Sequence, residues 1–95
     1  MKLPDRFRAL PGAELIETGL RDLAAGKRSE ASLLVLVGAP RLRQVGLSID
    51  ASSIECPEHE LYGLLHRADP DAAHGRYNAL LRRLVSFERT AACAA

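Results

Sequence analysis

The sequence has few cysteines and few aromatic residues. Its 95 residues include two tyrosines, two phenylalanines, no tryptophan and two distant cysteines, Cys56 and Cys93. Two cysteines so far apart do not have the pattern of a disulfide framework in a small secreted domain, so both are expected to be free thiols. The shortage of aromatic residues argues against a β-rich fold, in which such residues are enriched.

The sequence also lacks a strong charge of one sign and a long apolar run. Thirteen basic and twelve acidic residues leave a formal net charge of +1, so the molecule as a whole has no field that would attract nucleic acid or an acidic membrane. No apolar stretch approaches the length of a membrane-spanning helix, and residues 1–10 contain no signal-peptide core. We therefore expect a cytoplasmic protein with no membrane partner.

Helix-forming residues dominate what is present. Leucine occurs sixteen times and alanine fifteen times, and 47% of the residues are hydrophobic, which suits a folded helical chain. Because the length is that of one domain, we predict a single all-α domain over residues 1–95, a small irregular or orthogonal bundle of four or five helices. Residues 1–10 are expected to form an N-terminal arm and residues 90–95 a frayed tail. The excess of arginine over lysine, with abundant alanine and glycine, favours a bacterial source with a GC-rich genome.

Proline and glycine divide the chain into segments of helix length. Apolar periodicity and capping residues place helices at residues 11–25, 30–37, 40–45, 57–68 and 70–90. Gly19 lies on the apolar face of the first helix, which predicts that another helix approaches closely there. The long last helix is expected at the centre of the bundle, with the first and fourth helices completing the frame and a loop at residues 47–54 covering one side.

Residues 33–49 leave one alternative open. Residues 33–37 form a continuous apolar run, which periodicity cannot distinguish from a buried strand. Residues 45–49 could pair with this run as a hairpin, which would make the fold α+β. The helical interpretation is favoured because Ser29 and Pro40 both suit helix starts.

Three residues have metal-ligand chemistry at a suggestive spacing. Cys56 and His59 are separated like a pair of zinc ligands, and His66 shares a helical stripe with His59. The two histidines are seven residues apart, about 10 Å along a helix, so they cannot share one ion unaided. Structural zinc sites usually combine two closely spaced pairs. We therefore predict no metal and no cofactor, and Cys56, His59 and His66 are the candidate ligands if a metal is bound.

No catalytic frame is recognisable. The sequence contains no glycine-rich phosphate loop, no nucleophile elbow and no zinc-protease helix. Carboxylate pairs such as Glu14 and Glu17 occur at helix starts, where the helix dipole accounts for them. A pocket of enzyme size is also difficult to enclose in one small helical core. We therefore expect no catalytic activity.

Charge is distributed unevenly in the second half of the chain. Residues 50–71 contain six acids and one base, and residues 72–95 contain four arginines and one acid. This pattern predicts that the last two helices pair their charges at their rims. The four arginines also form two rows, each with members seven residues apart, so a second interpretation is a basic surface for phosphates or an acidic partner. The arginines proposed for it are Arg41, Arg43, Arg76, Arg82, Arg83 and Arg89.

The small size and the apolar helices favour an interaction module over an enzyme. We predict a non-catalytic protein that binds a protein partner or a second copy of itself, for example as a homodimer. Leu81 and Phe87 of the last helix are the expected apolar contacts. The alternatives are a nucleic-acid-associated regulator that uses the arginine rows and, third, a metal-binding regulator.

Overall fold

The computed structural model describes residues 3–49 and 55–94, and these residues form five α-helices without a strand among them. The helices are α1 (Ala13–Ala24), α2 (Glu30–Val37), α3 (Ala39–Gln44), α4 (Pro57–Ala68) and α5 (Ala73–Ala94), preceded by a 3₁₀ turn at Asp5–Phe7. The all-α prediction is therefore confirmed. The α+β alternative is wrong, because the apolar run that a hairpin would need is part of α2.

The centre of the bundle is α2, although the sequence placed the last helix there. Every residue from Ala31 to Leu36 is buried, because α2 packs against α1, α4 and α5. A helix that is apolar on all sides is the one that the others must surround. Its first turn is held by a reciprocal capping box: the amide of Ser32 donates to Ser29 Oγ at 3.1 Å, and the amide of Ser29 donates to Ser32 Oγ at 2.8 Å.

The contact between α1 and α2 is closest at Gly19. A Cβ atom added to Gly19 would lie 2.5 Å from Val35 Cγ2 and would overlap the carbonyl oxygen of Ala31. The backbones of the two helices meet here with no room for a side chain, which offsets the cost of a glycine inside a helix. The predicted close approach at Gly19 is confirmed.

Both ends of the described chain pack on the core. Leu3 and Phe7 are buried, and the ring of Phe7 meets the ring of Phe87 edge to face with 5.9 Å between their centroids. Helix α5 continues through residues 90–94, where the sequence predicted a frayed tail. The reason is burial: Ala91 extends the apolar stripe of α5 into the last turns of the helix.

The loop after α3 agrees with its prediction, whereas the connection before α5 does not. Leu47 and Ile49, after α3, are buried as expected of a loop that covers the bundle, and Ile54 of the same predicted loop lies outside the described residues. The last helix begins at Ala73 and not at residue 70. Residues 69–72 form a turn instead, in which the amide of Ala72 donates to the carbonyl oxygen of Asp69 at 3.2 Å.

The close contact at Gly19 makes a stability prediction. Gly19→Ala is expected to lower the free energy of unfolding by about 2 kcal/mol, because the new methyl group forces α1 away from α2. Gly75→Ala is the matched control, since a Cβ at Gly75 meets nothing within 4 Å. That variant should be neutral or more stable by about 0.5 kcal/mol. Urea unfolding followed by circular dichroism measures both free energies. Equal effects of the two substitutions would contradict the close contact between α1 and α2 at Gly19.

Candidate functional site

One row of arginines on α5 ties that helix to the rest of the bundle. Arg76 Nη2 lies 2.9 and 3.0 Å from the two carboxylate oxygens of Glu30, and Arg83 Nη2 lies 3.1 Å from Glu14 Oε1. Both acids stand in the first turns of their helices, α2 and α1, and both pairs are solvent-exposed. The charges of this row therefore pair with α1 and α2, whereas the sequence predicted that they would pair with the acids of α4.

These two ion pairs border a groove of about 670 Å³ between α1 and α5. Its apolar lining includes Leu15, Ala31 and Leu80. The arginines on its rim already have carboxylate partners from the same chain. The two ion pairs therefore connect α5 to α1 and α2, at a small gain in stability for each exposed pair.

The second row, Arg82 and Arg89, faces a different environment. Both side chains are exposed, and within the part of the chain that the structure describes neither guanidinium has an acidic side chain within 4.0 Å. They line a concave surface of about 460 Å³ on α5. We call this surface the outer face of α5; its members are Asn78, Leu81, Arg82, Val85, Ser86 and Arg89.

The apolar centre of the outer face consists of Leu81 and Val85. Leu81 is half-buried and packs against the edge of the core, and Val85 is half-buried one turn further along the helix. Val85 was not among the predicted contacts, although its position four residues after Leu81 places it on the same side of the helix. Phe87, which was predicted as a partner contact, is fully buried against Phe7 and is therefore a core residue.

The two arginines of α3 also have partners within the chain. Arg43 Nε donates a hydrogen bond to the carbonyl oxygen of Ile49 at 2.9 Å. Arg41 Nη1 lies 3.7 Å from Glu88 Oε1, whose side chain is only 8% exposed. Of the six arginines proposed for a partner, four thus make intrachain contacts among the described residues.

Glu88 belongs to α5, and its buried carboxyl group lies beside the start of α3. Its Oε2 atom is close to the backbone of Gly38, where an added Cβ would approach it to 2.9 Å. Burial raises the pKa of Glu88 above its ordinary value of 4.5, and the neighbouring Arg41 lowers it by less. Because the folded protein then holds this proton to a higher pH than the unfolded chain, the free energy of unfolding decreases as the pH rises from 4.5 through the raised pKa.

The direction of this pH dependence predicts the effect of Glu88→Gln on stability. The neutral side chain removes the cost of a buried carboxylate, so the free energy of unfolding at pH 7 should rise by about 1 kcal/mol and should be unchanged near pH 4. Denaturant unfolding across this pH range measures the difference. Glu55→Gln, at an exposed position, is the control and should have no effect at either pH. A less stable Glu88→Gln protein at pH 7 would show that the contact with Arg41 outweighs the cost of burial.

A further concavity, of about 470 Å³, lies between α4 and α5. The ring of Tyr62 meets that of Tyr77 edge to face at a centroid separation of 5.5 Å and stacks on that of His66 at 6.4 Å. Tyr62 is the one large hydrophobic side chain in the described part of the protein that is exposed, at 37%. We call this concavity the aromatic cleft; its lining is Glu58, His59, Tyr62, Gly63, His66 and Tyr77.

The aromatic cleft contains two of the three candidate metal ligands. His59 and His66 line it, whereas Cys56 is exposed and is not part of the lining. Across residues 3–49 and 55–94, no group of three or more histidine, cysteine, aspartate or glutamate side chains is arranged to hold a metal ion. The structure thus brings the two histidines to one concavity without completing a ligand set.

Comparisons with models of protein families, with curated proteins and with solved structures found no match to this chain. None of the helices in the described ranges is both long and apolar enough to cross a lipid bilayer.

Proposed function

We propose that this protein is a non-catalytic interaction module that binds an acidic, amphipathic helix of a partner protein through the outer face of α5. The observation that supports the proposal is the state of Arg82 and Arg89. They flank a half-buried apolar centre and have no acidic neighbour among the described residues, whereas Arg76 and Arg83 on the other side of the same helix are both paired. Arginines that have no acidic partner in the described part of the chain are available to pair with another molecule.

The spacing of the outer face suits a helical partner. Leu81 and Val85 are separated by one turn, and Arg82 and Arg89 by two turns or about 10 Å. A helix lying along α5 would place apolar residues against the first pair and acids, two turns apart, against the second pair. Such an interface has an apolar centre and a charged rim, in which arginine is favoured because it forms bidentate contacts with carboxylates.

A partner of different sequence is favoured over a second copy. In a twofold symmetric dimer through this face, the same patch occurs on both sides of the interface. The arginines of one copy would then be brought towards those of the other copy, and like charges at close range oppose association. Nucleic acid is less favoured, because the net charge is +1 and most of the proposed arginines are occupied within the chain.

The test is position-specific cross-linking in cells. A photoreactive phenylalanine derivative in place of Val85 should form an adduct with another protein. The cross-linked segment, identified by mass spectrometry, should contain acidic residues and the apolar periodicity of an amphipathic helix. The same group in place of Arg67, an exposed residue of α4, provides the background. Adducts with nucleic acid or with a second copy, or no adduct above the Arg67 background, would contradict the proposal.

Charge reversal tests the role of the two arginines. The Arg82→Glu/Arg89→Glu protein should bind the identified segment at least about tenfold more weakly, because two attractive contacts become repulsive. The Arg21→Glu/Arg67→Glu protein changes the net charge equally at exposed positions outside the face and should bind as the wild type does. Lysine substitution of the acids in the segment should restore binding to the first double variant only. Circular dichroism checks that both proteins remain helical.

A further inference from the structure

We propose that the aromatic cleft between α4 and α5 binds a small organic ammonium cation. The inference is independent of the outer face of α5 and rests on three features of the cleft: the arrangement of its rings, the sign of its charge and the presence of Gly63.

Three aromatic side chains line the cleft together: Tyr62, His66 and Tyr77. Tyr62 stacks on His66 at an interplanar angle of 27° and meets Tyr77 edge to face at 74°. The rings of the cleft therefore differ in orientation. The face of an aromatic ring carries negative electrostatic potential and attracts ammonium groups within about 6 Å of its centroid, which is how proteins recognise alkylated ammonium ions.

With its two histidines counted as neutral, the lining of the cleft has the sign of charge that a cation requires. Glu58 is the acid in the lining, and no lysine or arginine of the described chain lines it. Burial and, to a smaller extent, the charge of Glu58 raise the pKa of Tyr77. An anion would meet this carboxylate without a lysine or arginine in the lining to offset it. A purely apolar ligand would cover the carboxylate and the tyrosine hydroxyl groups without pairing them.

Gly63 keeps the cleft open. It lies inside α4, where glycine is unfavourable, and its φ angle is not positive. A Cβ added there would meet nothing within 4 Å, so close packing does not require a glycine, in contrast to Gly19. The space beside Gly63 is part of the cleft itself. A concavity of about 470 Å³ has the size of a site for a small molecule.

The composition of the chain supplies a direct probe. Tyr62 and Tyr77 are its two tyrosines and it has no tryptophan, so intrinsic tyrosine fluorescence originates entirely from the cleft. Titration with choline is expected to change this fluorescence saturably, with half-saturation at millimolar concentration. The uncharged isostere 3,3-dimethyl-1-butanol should bind about tenfold more weakly, since it lacks the cation–π and carboxylate attraction.

Variants connect the signal to the cleft. Gly63→Leu should abolish the response by filling the space, and Glu58→Gln should weaken it several-fold. Gly75→Leu is the matched control, because Gly75 is another helical glycine whose Cβ would meet nothing within 4 Å and it lies outside the lining; this variant should respond as the wild type does. Circular dichroism establishes that the leucine variants are folded, and two-dimensional NMR shift mapping locates the ligand if a substitution alters the fluorescence itself.

Three results would overturn the proposal. They are no saturable change up to 100 mM choline, equal binding of the uncharged isostere, and an undiminished response in the folded Gly63→Leu protein. A parallel titration with N-acetyl-trimethyllysine amide distinguishes the source of the cation. Tenfold tighter binding of this amide than of choline would assign the cleft to a modified lysine of another protein and contradict the assignment to a free small molecule.

Discussion

An eight-residue helix in which six consecutive residues are buried can persist only if other elements cover it. Helix α2 is such an element, and the positions of α1, α4 and α5 follow from its burial. The contact with α1 is close enough that a glycine is needed at residue 19, and Leu61 and Leu65 of α4 are fully buried. The bundle is therefore organised around α2, a helix of eight residues, and not around its longest helix, α5.

Enclosing α2 also determines which charges meet. Because α5 contacts α2, Arg76 comes within reach of Glu30, and Arg83 comes within reach of Glu14 on α1. Arg82 and Arg89 lie on another side of α5, where both are exposed and have no acidic side chain within 4.0 Å among the described residues. The difference between these two rows is the basis of the proposed function.

The same packing creates the aromatic cleft. Tyr62 and His66 belong to one helical stripe of α4, and the contact between α4 and α5 brings Tyr77 to its border. The sequence indicated the stripe through the spacing of its histidines, and the chemistry considered for it was metal binding. The structure adds Tyr77 from a different helix and the open space at Gly63. The site is therefore a concavity lined by aromatic rings and not a pair of metal ligands.

The sequence by itself determined the helices and most of their ends, because caps, prolines and apolar periodicity act within a few residues. The expected ranges 30–37 and 57–68 coincide with the observed α2 and α4. Tertiary structure alone decided that α2 is central, that Phe87 is buried against Phe7, that Ala91 holds the last turns of α5, and which acid pairs with each arginine. These features depend on contacts between residues far apart in the chain, and helical periodicity specifies which side of a helix is apolar without specifying which helix covers it.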